Sequence, residues 1–201
     1  MTDIVVRHLE RAEHAVAAAV AARALVDAPT TVAIHGDDPL DRLAFPYDDF
    51  SMLFKVLPSP QLGAFCGACL IGVAAASAPA GCVGSYFGSA VAEVLDRPTP
   101  GPGDPSRAQV FWAHWASHDL DEEHWHVGPV GVEPGFQGRG IGGALLGALC
   151  ATFDQEGRVG WLETDKERNV RFYNAFDFEV VETATILGVP TWFMRRSPAP
   201  H

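Results

Sequence analysis

The segment Val132-Glu133-Pro134-Gly135-Phe136-Gln137-Gly138-Arg139-Gly140-Ile141-Gly142-Gly143 constrains this chain more than any other stretch. A strand pattern, His124–Val132, runs into it. A helix pattern, Gly140–Phe153, leaves it, with Ile141, Ala144, Leu145, Ala148, Leu149 and Thr152 on one face. Glycines this closely spaced let backbone approach a ligand without interference from Cβ atoms. The first N–H groups of a helix have no intrahelical acceptor and point outward, and the dipole favours an anion there. The residues therefore predict a phosphate-binding loop; the plain alternative is a tight strand-to-helix turn.

The rest of the chain supplies a core for such a loop. It has 201 residues, 48% of them apolar, which excludes a wholly disordered chain and fits one domain over residues 1–201. Fourteen Lys and Arg face 25 Asp and Glu, a net charge of −11. That balance excludes a general nucleic-acid backbone binder and favours cationic small molecules as partners. Four cysteines, Cys66, Cys69, Cys82 and Cys150, are too few for a disulfide scaffold, and the first residues lack a basic-then-apolar leader pattern, so a cytoplasmic protein is expected. Val56–Ala92 contains no charged residue and is long enough to span a membrane. Its prolines, glycines and predominance of Ala over Leu and Ile predict buried strands of a core instead.

Periodicity places the other elements. Ile4–Leu9 reads as a strand and Glu10–Val26 as an Ala-rich helix ended by Pro29 and the Thr30-Thr31 pair. Asp38–Val56 reads as helical with a break at Pro46. Gly63–Cys66 and Cys69–Ala75 read as a hairpin around Gly67-Ala68, with Ala78–Ser85 a loop and Arg97–Ser106 a surface connection. A helix over Pro105–His118, a strand over Val159–Glu163, a helix over Glu167–Phe176, and strands over Glu179–Ile186 and Thr191–Arg195 around Gly188-Val189-Pro190 complete a mixed α/β sheet.

Two phosphate ligands compete for the loop. Gly138, Gly140 and Gly143 satisfy G-x-G-x-x-G, and Glu163 lies 20 residues later, as in a dinucleotide-binding oxidoreductase. Glu133–Gln137 intervene where that motif turns directly off its strand, and only 38 residues follow Glu163, too few for the remaining parallel strands. The second reading fits better. Gln137-Gly138-Arg139-Gly140-Ile141-Gly142 resembles the acyl-CoA-binding segment, Gln/Arg-x-x-Gly-x-Gly/Ala, of the GNAT superfamily of N-acetyltransferases. Asn169-Val170-Arg171-Phe172-Tyr173 followed by Phe176-Asp177-Phe178 is similar to that family's N-x-x-F-Y-x-x-x-G-F segment, with Asp177 where a glycine is usual. The resemblance covers about Trp125–Arg196.

The resemblance implies an α/β fold with a central, mostly antiparallel sheet, flanked by helices and splayed at the cofactor site. It implies acetyl-CoA as co-substrate and direct transfer to a primary amine in a ternary complex, on a small molecule or a peptide; a noncatalytic acyl-CoA-binding domain is the alternative. Gln137, Gly138, Arg139, Gly140, Ile141 and Gly142 would hold the pyrophosphate. Val130 and Val132 would pair through their backbone with the pantetheine arm, and an N–H there would polarise the thioester carbonyl. Asn169 would hydrogen-bond the pantetheine, or else cap its helix. Tyr173 would be the general acid, since a phenol near pKa ~10 suits a departing thiolate, or else a packing aromatic. His126 is the expected base, with Glu163 in reserve and a structural histidine as the plain reading. In a regular strand His126 shares a face with Val130 and Val132, a parity that a bulge near Gly128-Pro129 would break. Glu122 and Glu123 are expected on solvated loop, and Trp112, Trp115 and Trp125 as packing residues. Cys66-x-x-Cys69 has no second pair at ligand spacing, so inert core cysteines and no metal are expected. No nucleic-acid or membrane partner is expected, and a homodimer is common in families of this kind.

Overall fold

A computed structural model describes residues 3–56, 60–78, 81–82 and 90–199. Among them, seven strands form one sheet: β1 (Ile4–His8), β2 (Gln61–Cys66), β3 (Cys69–Ser77), β4 (His124–Val132), β5 (Val159–Thr164), β6 (Glu179–Ile186) and β7 (Val189–Arg196). Their spatial order is β1-β2-β3-β4-β5-β7-β6. Every pairing is antiparallel except β4 with β5. One parallel pair is incompatible with the repeated parallel crossovers of a dinucleotide-binding fold.

The described strands of the uncharged stretch, β2 and β3, are interior strands of the sheet, as its composition predicts. β2 and β3 are buried almost throughout. Helix α1 (His14–Leu25) lays Ala17, Ala18, Val20 and Ala21 against Phe65, Leu70, Val73 and Ala75 on one face, together with Phe54 of α3 (Asp41–Val56). The small side chains let α1 approach closely. A Cβ at Gly131 of β4 would stand 2.9 Å from Ala24 Cβ. The opposite face is covered by the helix after the glycine loop, Ile141–Gln155, whose Leu145, Leu146, Leu149 and Phe153 meet Leu62, Ala64, Ile71 and Ala74. Full burial of each such leucine stabilises by about 1.5–3 kcal/mol. Among the described residues, no single helix is long and apolar enough to cross a membrane. Much of the loop expected over Ala78–Ser85 lies outside the described residues.

Three local expectations need correction. α1 ends at Leu25, ahead of Pro29 as expected, but Pro29 also opens a new helix, α2 (Pro29–His35), in whose first turn its missing N–H costs nothing. Pro46 does not break α3, which runs through it; Pro46 is buried and only one amide is lost from the helical ladder. Pro190 belongs to β7, paired with Thr185, and the turn is made by Leu187 and Gly188 at φ 51° and 82°. The remaining helices are α4 (Val91–Leu95), α5 (Arg107–Ser117), α6 (Ile141–Gln155) and α7 (Glu167–Asn174).

Candidate active site

The site is organised by a place where the sheet opens. β4 and β5 pair only at His124, Trp125 and His126, opposite Val159, Gly160 and Trp161. Beyond His126, β4 pairs with β3 alone, and beyond Trp161, β5 pairs with β7 alone. A bulge contributes to the divergence, because Val127 and Val130 face Ala76 and Ala74, with two intervening residues on β4 against one on β3. The bulge falls at Gly128-Pro129, so the regular-strand parity between His126 and Val130 does not hold. Glu133 donates its N–H to Ile71 carbonyl on β3 at 2.9 Å. Strand alternation therefore turns the backbone groups of Val132 and Val130 toward the opened edge.

The glycine loop continues from that edge. A single 3-10 turn, Pro134–Phe136, leads to Gln137 in extended conformation. Gly138 and Gly140 then adopt φ of 74° and 80°. A Cβ at either would meet nothing within 4 Å, so glycine is required for the left-handed backbone and not for space. Gly140 caps α6 without a side-chain hydrogen bond. The first backbone bond of the helix is Ala144 N–H to Gly140 carbonyl, 3.0 Å, and the amides from Gly138 to Gly143 have no backbone acceptor among the described residues. They form a nest of donors at the positive end of a helix of 15 residues. Gln137 steadies the loop by donating Nε2–H to Val132 carbonyl at 3.0 Å. Arg139 folds back to donate to Gly135 carbonyl at 3.1 Å, with its guanidinium 5.2 Å from the Phe136 ring. Ile141 is buried, so only its amide is available to a ligand.

At the other end of the opening His126 Nε2 lies 2.8 Å from Glu163 Oε2. Glu163 Oε1 accepts a hydrogen bond from Trp161 Nε1 at 3.2 Å. Burial works against charge on His126, but the Glu163 carboxylate outweighs it and holds the imidazole pKa well above its ordinary value. The candidate base and its reserve are thus one hydrogen-bonded unit.

Tyr173 lies on α7, half-buried, with Phe172 at 5.1 Å and Phe178 at 6.1 Å between ring centroids. Burial raises its pKa, and the negative charges of Asp165 and Glu163 raise it further. The phenol is therefore a weaker acid than the ordinary value near 10 suggests, and it keeps its proton throughout the neutral range. Asn169 is not the cap of α7, a position taken by Lys166. Its Nδ2 donates to Thr164 Oγ1 at 3.1 Å and ties the helix to the end of β5. Asp177, at φ 63°, occupies a left-handed position that a short polar side chain tolerates in place of glycine.

Other residues fall where packing and solvation send them. Trp112 and Trp115 pack with Phe111 near Trp161 and Phe193, and Trp125 stacks on Phe153. Glu122 and Glu123 are exposed, in ion pairs with Arg195 and Arg158. Cys66 and Cys69 face one another across the β2–β3 turn, but Cys69 is exposed and Cys66 only half-buried, so they are not core residues. A two-residue turn at a sheet end leaves its flanking residues in solvent. Residue spacing also missed a group with metal-binding chemistry. Cys82, Asp119 and His124, far apart in sequence, bring ligand atoms within 4.8 Å of one another beside His126. Burial opposes charge on His124, and Asp119 overrides it to raise the pKa to about 9.

Comparison with known proteins gives the family and the fold. A family model described as the acetyltransferase (GNAT) family matches residues 67–178, more than half of the chain. Among solved structures, a polyamine N-acetyltransferase of Drosophila melanogaster that forms N-acetylagmatine superposes with a TM-score of 0.72, at 13% identity, covering 97% of this chain and 100% of its own. The ribosomal-protein-S18-alanine N-acetyltransferase of Escherichia coli gives 0.59 at 13% identity, covering 99% and 96%. A GNAT family acetyltransferase of Brucella melitensis, in complex with acetyl-CoA, gives 0.57 at 17% identity, covering 100% and 91%. At these identities the likeness is one of fold.

Proposed function

The chain belongs to the GNAT family of N-acetyltransferases, and from that premise we propose that it moves the acetyl group of acetyl-CoA to a primary amine by direct attack in a ternary complex. The observation that carries the reading is the continuous opening between β4 and β5, with unbonded loop amides at one end and the His126–Glu163 pair at the other. In this reading the amides of residues 138–142 and the Arg139 guanidinium hold the diphosphate, and Val130 and Val132 extend the sheet by pairing with the pantetheine arm. Asn169 steadies the same arm through the α7–β5 junction.

Acetyl-CoA supplies an acetyl group activated as a thioester. The chain's own residues manage the protons and the developing charge. An N–H on the open edge at Val130 or Val132 polarises the carbonyl. Once the His126 imidazole has released its proton to solvent, the His126–Glu163 pair accepts a proton from the attacking nitrogen as the C–N bond forms, and its raised pKa makes it the stronger base for that step. Tyr173 gives its proton to the sulfur as the C–S bond breaks. The acceptor is an amine that is cationic in solution, on a small molecule or a peptide, a choice supported by the acidic side chains at the site and the net charge of −11. A cytoplasmic location fits a reaction that consumes acetyl-CoA.

The test has two parts. Acetyl-CoA at about 100 times its dissociation constant should raise stability by ~2.7 kcal/mol, and NAD(H) should not. A panel of amines assayed by thiol release should then give turnover with at least one cationic acceptor. Stabilisation without turnover on any amine would leave a noncatalytic acyl-CoA-binding domain. Absence of stabilisation would overturn the reading.

A further inference from the structure

We propose that Cys82, Asp119 and His124 form a binding site for a transition-metal ion of the zinc class. The residues come from the loop after β3, the turn after α5 and the first residue of β4. Their ligand atoms lie within 4.8 Å of one another, and Cys82 and His124 are buried. The side chains of Asp119 and His124 are only 6% and 3% exposed. A thiolate, an imidazole and a carboxylate together match the mixed donor sets that zinc takes, whereas magnesium and calcium take oxygen alone.

The orientation of the histidine argues for an ion more strongly than proximity does. His124 Nδ1 lies 2.8 Å from Glu122 carbonyl, an acceptor only, so Nδ1 carries the hydrogen. Nε2 faces Asp119 Oδ1 at 2.9 Å, as an ion pair when the ring is protonated and with its lone pair exposed to that carboxylate when the proton is displaced. Beyond that ion-pair contact, Nε2 makes no hydrogen bond of good geometry although its side chain is almost wholly buried. Two lone-pair donors at that distance need a cation between them, and a metal ion can take the place that the imidazolium proton otherwise fills in the ion pair. A metal-ligating histidine commonly gives its other N–H to a backbone carbonyl, the arrangement seen here. His126 repeats the pattern one step away. Its Nε2 is engaged by Glu163, and its buried Nδ1, 3.8 Å from Asp119 Oδ1, lacks a hydrogen-bond partner.

Dimensions agree with the chemistry. Donor atoms around a tetrahedral zinc ion stand roughly 3.3–3.7 Å apart. The 2.9 Å between Nε2 and Oδ1 and the 4.8 Å limit of the whole set bracket that separation. On binding, the Cys82 thiol loses its proton to solvent as the sulfur–metal bond forms, and no redox change is involved. The ion would staple the loop after β3 and the turn after α5 to β4, beside the His126–Glu163 pair. The site does not depend on the acetyl-transfer reading, and its test is physical.

The experiment is titration of chelator-treated full-length protein with Co²⁺. One equivalent should produce thiolate-to-cobalt charge-transfer absorption and intense visible bands of tetrahedral cobalt. Zn²⁺ should then bleach both, since it binds such sites more tightly than cobalt. Cys82→Ser should abolish the charge-transfer band, and His124→Gln should weaken binding by more than about tenfold. The Cys66→Ser, Cys69→Ser double variant should retain the full signal. No thiolate band in the wild type overturns the proposal, as does a band that survives in Cys82→Ser or vanishes in the double variant. Should Cys82→Ser fail to fold, the wild-type and double-variant titrations still decide.

Discussion

Glu163, two residues past the last β5 residue that pairs with β4, sets its Oε2 2.8 Å from Nε2 of His126, which stands on that last rung opposite Trp161. The pair therefore sits at the apex of the opening, where the sheet has stopped satisfying its own backbone. A carboxylate with 1% exposure is tolerated there because the His126 imidazole pairs with one oxygen and the Trp161 indole N–H donates a hydrogen bond to the other.

Replacing Glu163 with Gln preserves shape and removes charge. We expect turnover to fall by about 10²-fold or more while acetyl-CoA stabilises the variant as it does the wild type. Steady-state kinetics alongside thermal shift checks this. Undiminished turnover would remove the pair from the proton path.

Tyr173→Phe should keep the aromatic packing with Phe172 and Phe178 and lose the transferable proton. The expected result is a drop in turnover on the order of 10²-fold, with cofactor-induced stabilisation retained. A variant that turns over normally would make Tyr173 a packing residue.

The same tyrosine predicts an alkaline stability slope. Its folded-state pKa is raised by burial above the ordinary 10. The unfolded chain therefore ionises first. The contribution is present below about pH 10 and is lost as pH rises from there through the folded value. Melting temperatures measured from about pH 9 to about pH 11 should fall more steeply for the wild type than for Tyr173→Phe. Parallel curves would mean the phenol is solvated in the folded state.

Gly140→Ala isolates backbone conformation in the loop, because a Cβ there meets no atom within 4 Å while φ is 80°. The variant should lose about 1–2 kcal/mol of stability and bind acetyl-CoA more weakly. Gly135→Ala is the control, with equal space and no positive φ. Denaturant melts of the two variants, with and without cofactor, make the comparison, and equal effects would argue against a conformational role for Gly140.

The cysteines should separate by exposure. A thiol reagent applied to native protein should modify exposed Cys69 quickly and leave Cys150 unmodified, since burial pushes that thiol up to about 11. Peptide mapping after timed quenching reads the order. Early modification of Cys150 would show that α6 opens readily.

Much of the catalytic half was legible from residue order. The strand His124–Val132 matches the observed β4, and the loop and helix after it follow from glycine spacing and one apolar face. These are local properties. Chain stiffness, positive-φ glycines and side-chain periodicity act over a few residues and are written in them. Pro29 and Pro46 mark the limit of such signals. A proline constrains one turn, while Asp165 accepting from Thr30 N–H and Oγ at 2.9 and 2.8 Å, and the burial of Pro46, come from distant parts of the chain.

The primary structure alone determined most of the elements from β4 onward, the glycine loop ahead of α6 and the resemblance to the family to which the chain belongs. Tertiary structure decided where β4 and β5 part, that His126 is hydrogen-bonded to Glu163, and that Cys82 and Asp119 meet His124. Those relationships join residues 37 or more positions apart in two cases, through Glu163 and Cys82. Nothing in local sequence encodes them, because distant side chains converge only when burial of the whole sheet fixes the register of its strands.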